Sequence, residues 1–324
     1  MNMKMKTFID DFISQADKNP SRVAAMDCQG ADTYLNINRK SALLAEKILT
    51  LTEGRNARVA LLMPRCRDYV TSLIAVIRAG CCAVPLDSEY PPERVKNILK
   101  DSGCTLCVTT GALAGKAGEF SKIIFEEALS DDKELNKADL NLNKSEPDKE
   151  GLILYTSGST GKPKGVIHRQ FIFYCGYELL KPYHDFIDKD IIASMAGFTF
   201  IASVHDIIPP LITGGCVYIA DELERKNVDM LYKLIKRRKV TGMYLPPQLF
   251  AVMHEMYGSL PFNYVLLAGE KNKGEEIEGD YAVESYGTTE TAGVLIQKLA
   301  TMTRECWGRP AAEQKYFCLM RTGI

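Results

Sequence analysis

From about residue 40 to residue 285 the chain alternates short apolar runs with stretches of helical period, the pattern of an α/β protein with largely parallel sheets. Residues 58–63 read as a buried strand. Tyr69, Leu73, Val76 and Ile77 then fall at helical spacing until Gly80 stops the helix. Residues 81–86 form a second predicted strand, residues 92–102 a helix ended by Gly103, and residues 106–110 a third strand. Further on, Asn227 is placed to cap a helix whose core face is Val228, Leu231, Tyr232 and Ile235, and residues 240–245 and 264–268 read as strands. Residues 129–150 break the rhythm: polar, charged and almost free of bulky apolar side chains, they predict a surface linker between two sheet units. With 324 residues, 46% of them hydrophobic, there is enough apolar material for two closely packed lobes.

Composition excludes several functions. Lys+Arg 40 against Asp+Glu 41 leaves a formal charge of -1, so neither a nucleic-acid partner nor an anionic membrane surface is expected. The early apolar residues are interrupted by Asp10 and Asp11, which opposes an export signal. The most apolar later stretch, residues 207–220, contains Pro209, Pro210, Gly214 and Gly215, which opposes a membrane span. The ten cysteines are scattered rather than densely spaced, predicting reduced thiols in a cytoplasmic protein. Cys104 and Cys107 make one CxxC with no second pair and no nearby histidine, so a packing role is expected rather than a metal site.

The chemistry is concentrated after the predicted strand at residues 151–154, in the run Tyr155-Thr156-Ser157-Gly158-Ser159-Thr160-Gly161-Lys162-Pro163-Lys164-Gly165. Glycines let backbone N–H groups converge on phosphate oxygens, hydroxyls add donors, and lysines offset negative charge. It is not the P-loop of NTPases, because Pro163 stands where that motif needs a Ser or Thr to hold magnesium. A polar turn on the surface would need no such ordered composition.

In this order the eleven residues resemble the signature of the adenylate-forming (AMP-binding) superfamily, which includes acyl-CoA synthetases, luciferases and the adenylation domains of nonribosomal peptide synthetases. The resemblance extends along the chain. Arg78-Ala79-Gly80-Cys81-Cys82-Ala83-Val84-Pro85-Leu86-Asp87, followed by Tyr90-Pro91, resembles the peptide-synthetase form of an upstream motif. Phe198-Thr199-Phe200-Ile201-Ala202-Ser203-Val204 is similar to the segment that opens the acid pocket. Ala268-Gly269-Glu270 and Glu284-Ser285-Tyr286-Gly287-Thr288-Thr289-Glu290 resemble the two nucleotide-holding segments, and Trp307-Gly308-Arg309-Pro310 the turn that follows them. The implied fold is the large N-terminal domain of this superfamily, two packed sheet-and-helix subdomains over residues 1–324. It is expected to be incomplete at its C-terminus, with the small β-barrel part and the mobile C-terminal subdomain missing.

The implied reaction is attack of a carboxylate on the α-phosphate of ATP, with release of pyrophosphate and formation of an acyl-adenylate. By resemblance Thr156, Ser157, Gly158, Ser159, Thr160, Gly161 and Lys164 cradle the β- and γ-phosphates, with Thr156, Lys164 and Glu290 carrying the catalysis. Glu290 is the implied Mg²⁺ ligand, Thr289 contacts the α-phosphate, Tyr286 stacks on adenine, and Gly269, Glu270, Ser285 and Gly287 complete the nucleotide site. The implied acid pocket is Ile201, Ala202, His205, Tyr244, Leu266, Ala268, Ser285, Gly293 and Val294. Adenylation domains that take α-amino acids have an Asp where Ile201 stands, to pair with the substrate ammonium. An acid without that group is therefore expected, or a pocket that has lost selectivity. Of the other histidines, His168 is expected near ATP, and His184 and His254 on the surface.

No residue matches the family's ribose-binding Asp or the Lys of its C-terminal subdomain. Two readings follow: an acid-activating enzyme aided by a separate C-terminal subdomain and delivering to a carrier-protein thiol, or a catalytically defective nucleotide-binding remnant of a peptide synthetase. Coenzyme A is the other acceptor the resemblance leaves open.

Overall fold

The structure, a computed structural model, describes residues 6–54, 56–130, 133–156, 163–270, 282–291 and 295–298. Helix α1 (Phe8–Lys18) starts at a capping box in which the Thr7 N–H donates to Asp10 at 2.7 Å. The hairpin β1 (Val23–Met26) and β2 (Ala31–Thr33) follows, then α2 (Tyr34–Leu51), β3 (Arg58–Leu62), α3 (Arg67–Arg78) and β4 (Cys82–Leu86). Next come α4 (Pro92–Asp101), β5 (Leu106–Thr109), β6 (Lys122–Ile124), the one-turn helices α5 (Phe125–Ala128) and α6 (Lys137–Leu140), then β7 (Glu150–Thr156) and β8 (Lys164–Arg169). The remainder is α7 (Ile172–Leu180), β9 (Ile191–Ser194), α8 (Ala202–Thr213), β10 (Cys216–Ile219), α9 (Glu222–Lys226), α10 (Val228–Arg238), β11 (Gly242–Leu245), α11 (Pro247–Tyr257), β12 (Tyr264–Leu267), β13 (Ala282–Tyr286) and β14 (Leu295–Lys298).

The strands make two sheets. One has six strands in the order β6-β5-β3-β4-β7-β8, the other eight in the order β14-β13-β12-β11-β9-β10-β1-β2. Only β1–β2, β7–β8 and β13–β14 pair antiparallel among the described residues. One hydrophobic cluster includes Val59 and Leu61 of the first sheet and Val217 and Ile219 of the second, together with Phe8, Ile37, Ile74, Phe173 and Ile207 from the helices between them. Helix α3 is buried all round, from Tyr69 to Arg78, as a helix packed on every side must be. The fold is thus the α/β N-terminal domain expected from the sequence, with both sheets sharing a helical layer.

Turn chemistry placed many boundaries well. Gly80, which follows α3, has a φ of 73°, and a Cβ there would meet the Lys144 carbonyl at 2.7 Å. Asn227 caps α10 by accepting from the Met230 N–H at 3.0 Å. Cys104 and Cys107 are both buried in the core of the six-stranded sheet.

Three expectations need correction. Residues 129–150 join β6 to β7 of the same sheet, not two sheet units, and are pinned in places. The fully buried Arg78 donates to the carbonyls of Leu140 and Leu142, and the buried Ser145 hydroxyl to Thr7 at 2.7 Å. His184 is not on the surface: it bonds the buried Asp190 at 2.9 Å and packs against Phe186 and Tyr264. His254 is half-buried, with a buried Nδ1.

Candidate active site

A cleft of about 1230 Å³ opens between the sheets, where the C-terminal ends of the parallel strands β9, β11, β12 and β13 meet the β7–β8 hairpin. Drug-sized ligand pockets span roughly 300–1,000 Å³, so the cleft is large enough for more than one small reactant.

Its polar end is built from two pieces. Thr156 closes β7, Lys164 opens β8, and the two residues face each other across the antiparallel ladder. Both line the cleft, so the two described ends of the phosphate-loop motif are paired strand residues. Ser157, Gly158, Ser159, Thr160 and Gly161 lie outside the described residues. The second piece is the turn after β13, where Gly287, Thr288, Thr289 and Glu290 line the cleft. The turn is held by the Thr288 N–H donating to the Thr291 hydroxyl at 2.9 Å, and by the Thr291 N–H donating to the Thr288 carbonyl at 3.1 Å. The Thr288 hydroxyl, together with the Glu290 N–H and the nearby His168, holds the Glu290 carboxyl below its ordinary range. His168, buried on β8, is lowered chiefly by burial, with the Thr289 backbone and the Glu290 carboxyl pulling the other way.

Gly269 and Glu270 line the cleft beside this turn. Gly269 has a φ of 95°, and a Cβ there would come within 2.3 Å of the Tyr244 hydroxyl. That hydroxyl donates to the Ala268 carbonyl at 2.7 Å, so the glycine allows β11 and the exit of β12 to lie close together. The Tyr286 backbone belongs to β13.

The other end is mostly apolar. Tyr244 on β11 is in register with Leu266 on β12, and Leu266 and Ala268 share a strand face two residues apart. Ile201 sits at the start of α8 with Ala202 beside it and His205 one turn on, and all three line the cleft. Ile201 also packs partly against the main core. Ser285 lines the wall between the two ends, while Gly293 and Val294 lie outside the described residues. The structure therefore brings together every described residue that the sequence picked for the site, Tyr286 being placed by its backbone alone.

Two neighbouring groups here are titration outliers. Burial lowers His205 to about 4, keeping it neutral, and its Nε2 has no hydrogen-bond partner. Burial raises Asp206 to about 8, although it accepts from the Met195 N–H at 3.4 Å. Within α8, Pro209 and Pro210 remove the N–H groups that would bond the carbonyls of His205 and Asp206.

Sequence reasoning missed Met195, Ala196, Arg225, Leu249 and Thr288 as lining residues. Only Thr288 lay in a motif; the others arrive from strand ends and helices that carry no local signature of a site.

The donor set suits a magnesium nucleotide. The hydroxyl residues Thr156 and Thr289, Lys164 and the carboxylate residue Glu290 all line the cleft. Among the described residues no group of three or more His, Cys, Asp or Glu could hold a metal alone. A hard cation carried in with phosphate and water oxygens needs only a carboxylate such as Glu290 from the protein.

A cleft at the carbonyl ends of the parallel strands lies where open α/β sheets bind their ligands. Residues 12–317 match the AMP-binding enzyme family, and the chain belongs to it. It is 32% identical over 240 residues to tyrocidine synthase 3 of Brevibacillus parabrevis, covering 72% of this chain and 4% of that protein. It is 29% identical over 318 residues to gramicidin S synthase 2 of Brevibacillus brevis, covering 93% of this chain and 7% of the relative. The chain thus spans a small fraction of these curated relatives. Among solved structures, the nonribosomal peptide synthetase FmoA3 bound to α-methyl-L-serine-AMP superposes with a TM-score of 0.82 at 20% identity, covering 94% of this chain and 36% of that one. The N-terminal subdomain of Klebsiella oxytoca NpsA, in complex with 3-hydroxyanthranilyl-AMSN, gives 0.76 at 21% identity, covering 91% and 76%. Among the described residues no helix is long and apolar enough to cross a membrane.

Proposed function

We propose that this chain activates a carboxylic acid with ATP, forming an acyl-adenylate and releasing pyrophosphate. The observation that carries the reading is one continuous cleft with Thr156, Lys164 and the 287–290 turn at one end and Ile201, Ala202, Tyr244, Leu266 and Ala268 at the other. A bound magnesium nucleotide supplies the electrophilic α-phosphorus: a P–O bond forms to the carboxylate as the bond to the β-phosphate oxygen breaks. Two anions must meet in this step, so neutralisation and alignment matter more than a strong base. Lys164 and Thr156 would hold the leaving phosphates, Thr289 the α-phosphate, and Glu290 the magnesium. Gly269, Glu270, Gly287 and Tyr286 would border the base and sugar. The acid would lie between Ile201, His205 and Tyr244 with its carboxylate toward Thr289.

Ile201 offers no partner to an α-ammonium group, so the acid would be an aryl, fatty, hydroxy or keto acid. The peptide-synthetase relatives, and a solved NpsA–ThdA adenylation–PCP didomain from Klebsiella oxytoca, favour a carrier-protein thiol as the acceptor.

Hydroxylamine trapping tests the chemistry directly, since an acyl-adenylate yields a hydroxamate. Hydroxamate that requires both ATP and one acid, and that falls at least tenfold in Glu290→Gln, is expected. Hydroxamate formed without ATP would contradict the proposal.

A further inference from the structure

Arg65 stands in the loop between β3 and α3, on the six-stranded sheet, yet its guanidinium engages the other sheet. Nε donates to the Ala220 carbonyl just beyond β10 at 2.6 Å, Nη1 to Ala196 at 2.6 Å, and Nη2 to Ser194, the last residue of β9. The guanidinium carbon also lies 4.9 Å from the centre of the Phe198 ring, which stacks on Tyr69 with centroids 3.6 Å apart. From α8, Asp206 accepts the Met195 N–H of the same segment. Residues 194–198 are thus gripped by carbonyl, amide and aromatic contacts at once. Met195, Ala196 and Gly197 line the cleft, as does Phe200 just beyond; Arg65 does not. Three carbonyls from two strand ends and a loop need a planar fork of donors, which an ammonium cannot supply.

We infer that Arg65 is a positioning residue for the acid end of the cleft, fixing the 194–198 segment of one sheet from the loop of the other. This inference rests on the reading of that end as the acid pocket. Its consequence is that the acyl group is selected against a wall held from outside the pocket.

Amide hydrogen exchange of the ligand-free chain reads the clamp without any turnover. Arg65→Lys is expected to speed exchange about tenfold or more over residues 195–200 while leaving β11 and β12 unchanged. The matched control is Arg78→Lys, a buried guanidinium that holds the Leu142 carbonyl away from the cleft; it should leave residues 195–200 unaltered. Calorimetry then compares AMP with sulfamoyl-adenosines carrying benzoyl, hydroxybenzoyl, octanoyl and leucyl groups. Arg65→Lys should weaken the tightest of these about tenfold and AMP by no more than about twofold. Unchanged exchange over residues 195–200, or equal weakening of AMP and the acyl probe, overturns the inference. A wild-type chain that binds AMP but none of the acyl probes any tighter would remove the acid-pocket reading and the inference's acyl part, while exchange still decides the clamp. Should Arg65→Lys fail to fold, Phe198→Leu, which removes the ring and keeps the fork, is judged by the same two criteria.

Discussion

His205 and Asp206 are adjacent in α8, and burial moves them in opposite directions, to about 4 and about 8. A carboxyl raised from near 3.8 contributes stability that is complete below that pH and lost as pH rises through 8. A histidine lowered from near 6.5 contributes stability that is complete above that pH and lost as pH falls through 4. From pH 4 to 6.5 the two slopes oppose each other. Between 6.5 and 8 only Asp206 acts, so unfolding free energy should fall by at most about 1.4 kcal/mol per pH unit. Thermal melts are expected to show Tm dropping by a few degrees from pH 6.5 to 8, and Asp206→Asn should flatten that slope. A wild-type Tm that stays level or rises over this range would mean the carboxylate is already ionised in the fold. The pocket position of His205 could be read from its motif, but its neutral state depends on the α7 and α8 packing around it, which no local pattern encodes.

The β7–β8 hairpin carries the phosphate motif, and here local reading stopped two residues short. The strand runs to Thr156 because Tyr155 and Thr156 continue the ladder opposite Gly165 and Lys164. Their hydroxyls made them look like loop. No element is predicted from sequence over residues 164–169, yet the β-branched Val166 and Ile167 suit the edge strand they form. In the proposed reading Lys164 serves the phosphate end alone. In steady-state assays of adenylate formation, Lys164→Ala should raise KM for ATP about tenfold or more and leave KM for the acid within about twofold. Equal changes in both constants would place the side chain elsewhere in the chemistry.

For the whole molecule, the alternation of apolar runs and helical periods foretold the α/β architecture, and four ordered motifs, at residues 155–165, 198–204, 268–270 and 284–290, foretold the cleft. Both signals are local, and both survive folding because strand ends carry their loops to one edge of a parallel sheet. What escaped was tertiary: Arg65 crosses from one sheet to the other, and His184 is buried by Phe186 and Tyr264 rather than solvated. The linker at residues 129–150 misled because a polar composition says nothing of the carbonyls that Arg78 holds there. The central claim is that one cleft joins ATP to an acid lacking an α-ammonium group. Acid-dependent ATP–pyrophosphate exchange on the purified chain, with matched pairs of α-amino acids and their desamino, hydroxy or keto counterparts beside aryl and fatty acids, tests it most directly. Exchange that requires an acid and favours the member without the ammonium is the predicted result; exchange that favours an α-amino acid, or none with any acid from folded protein, would contradict it.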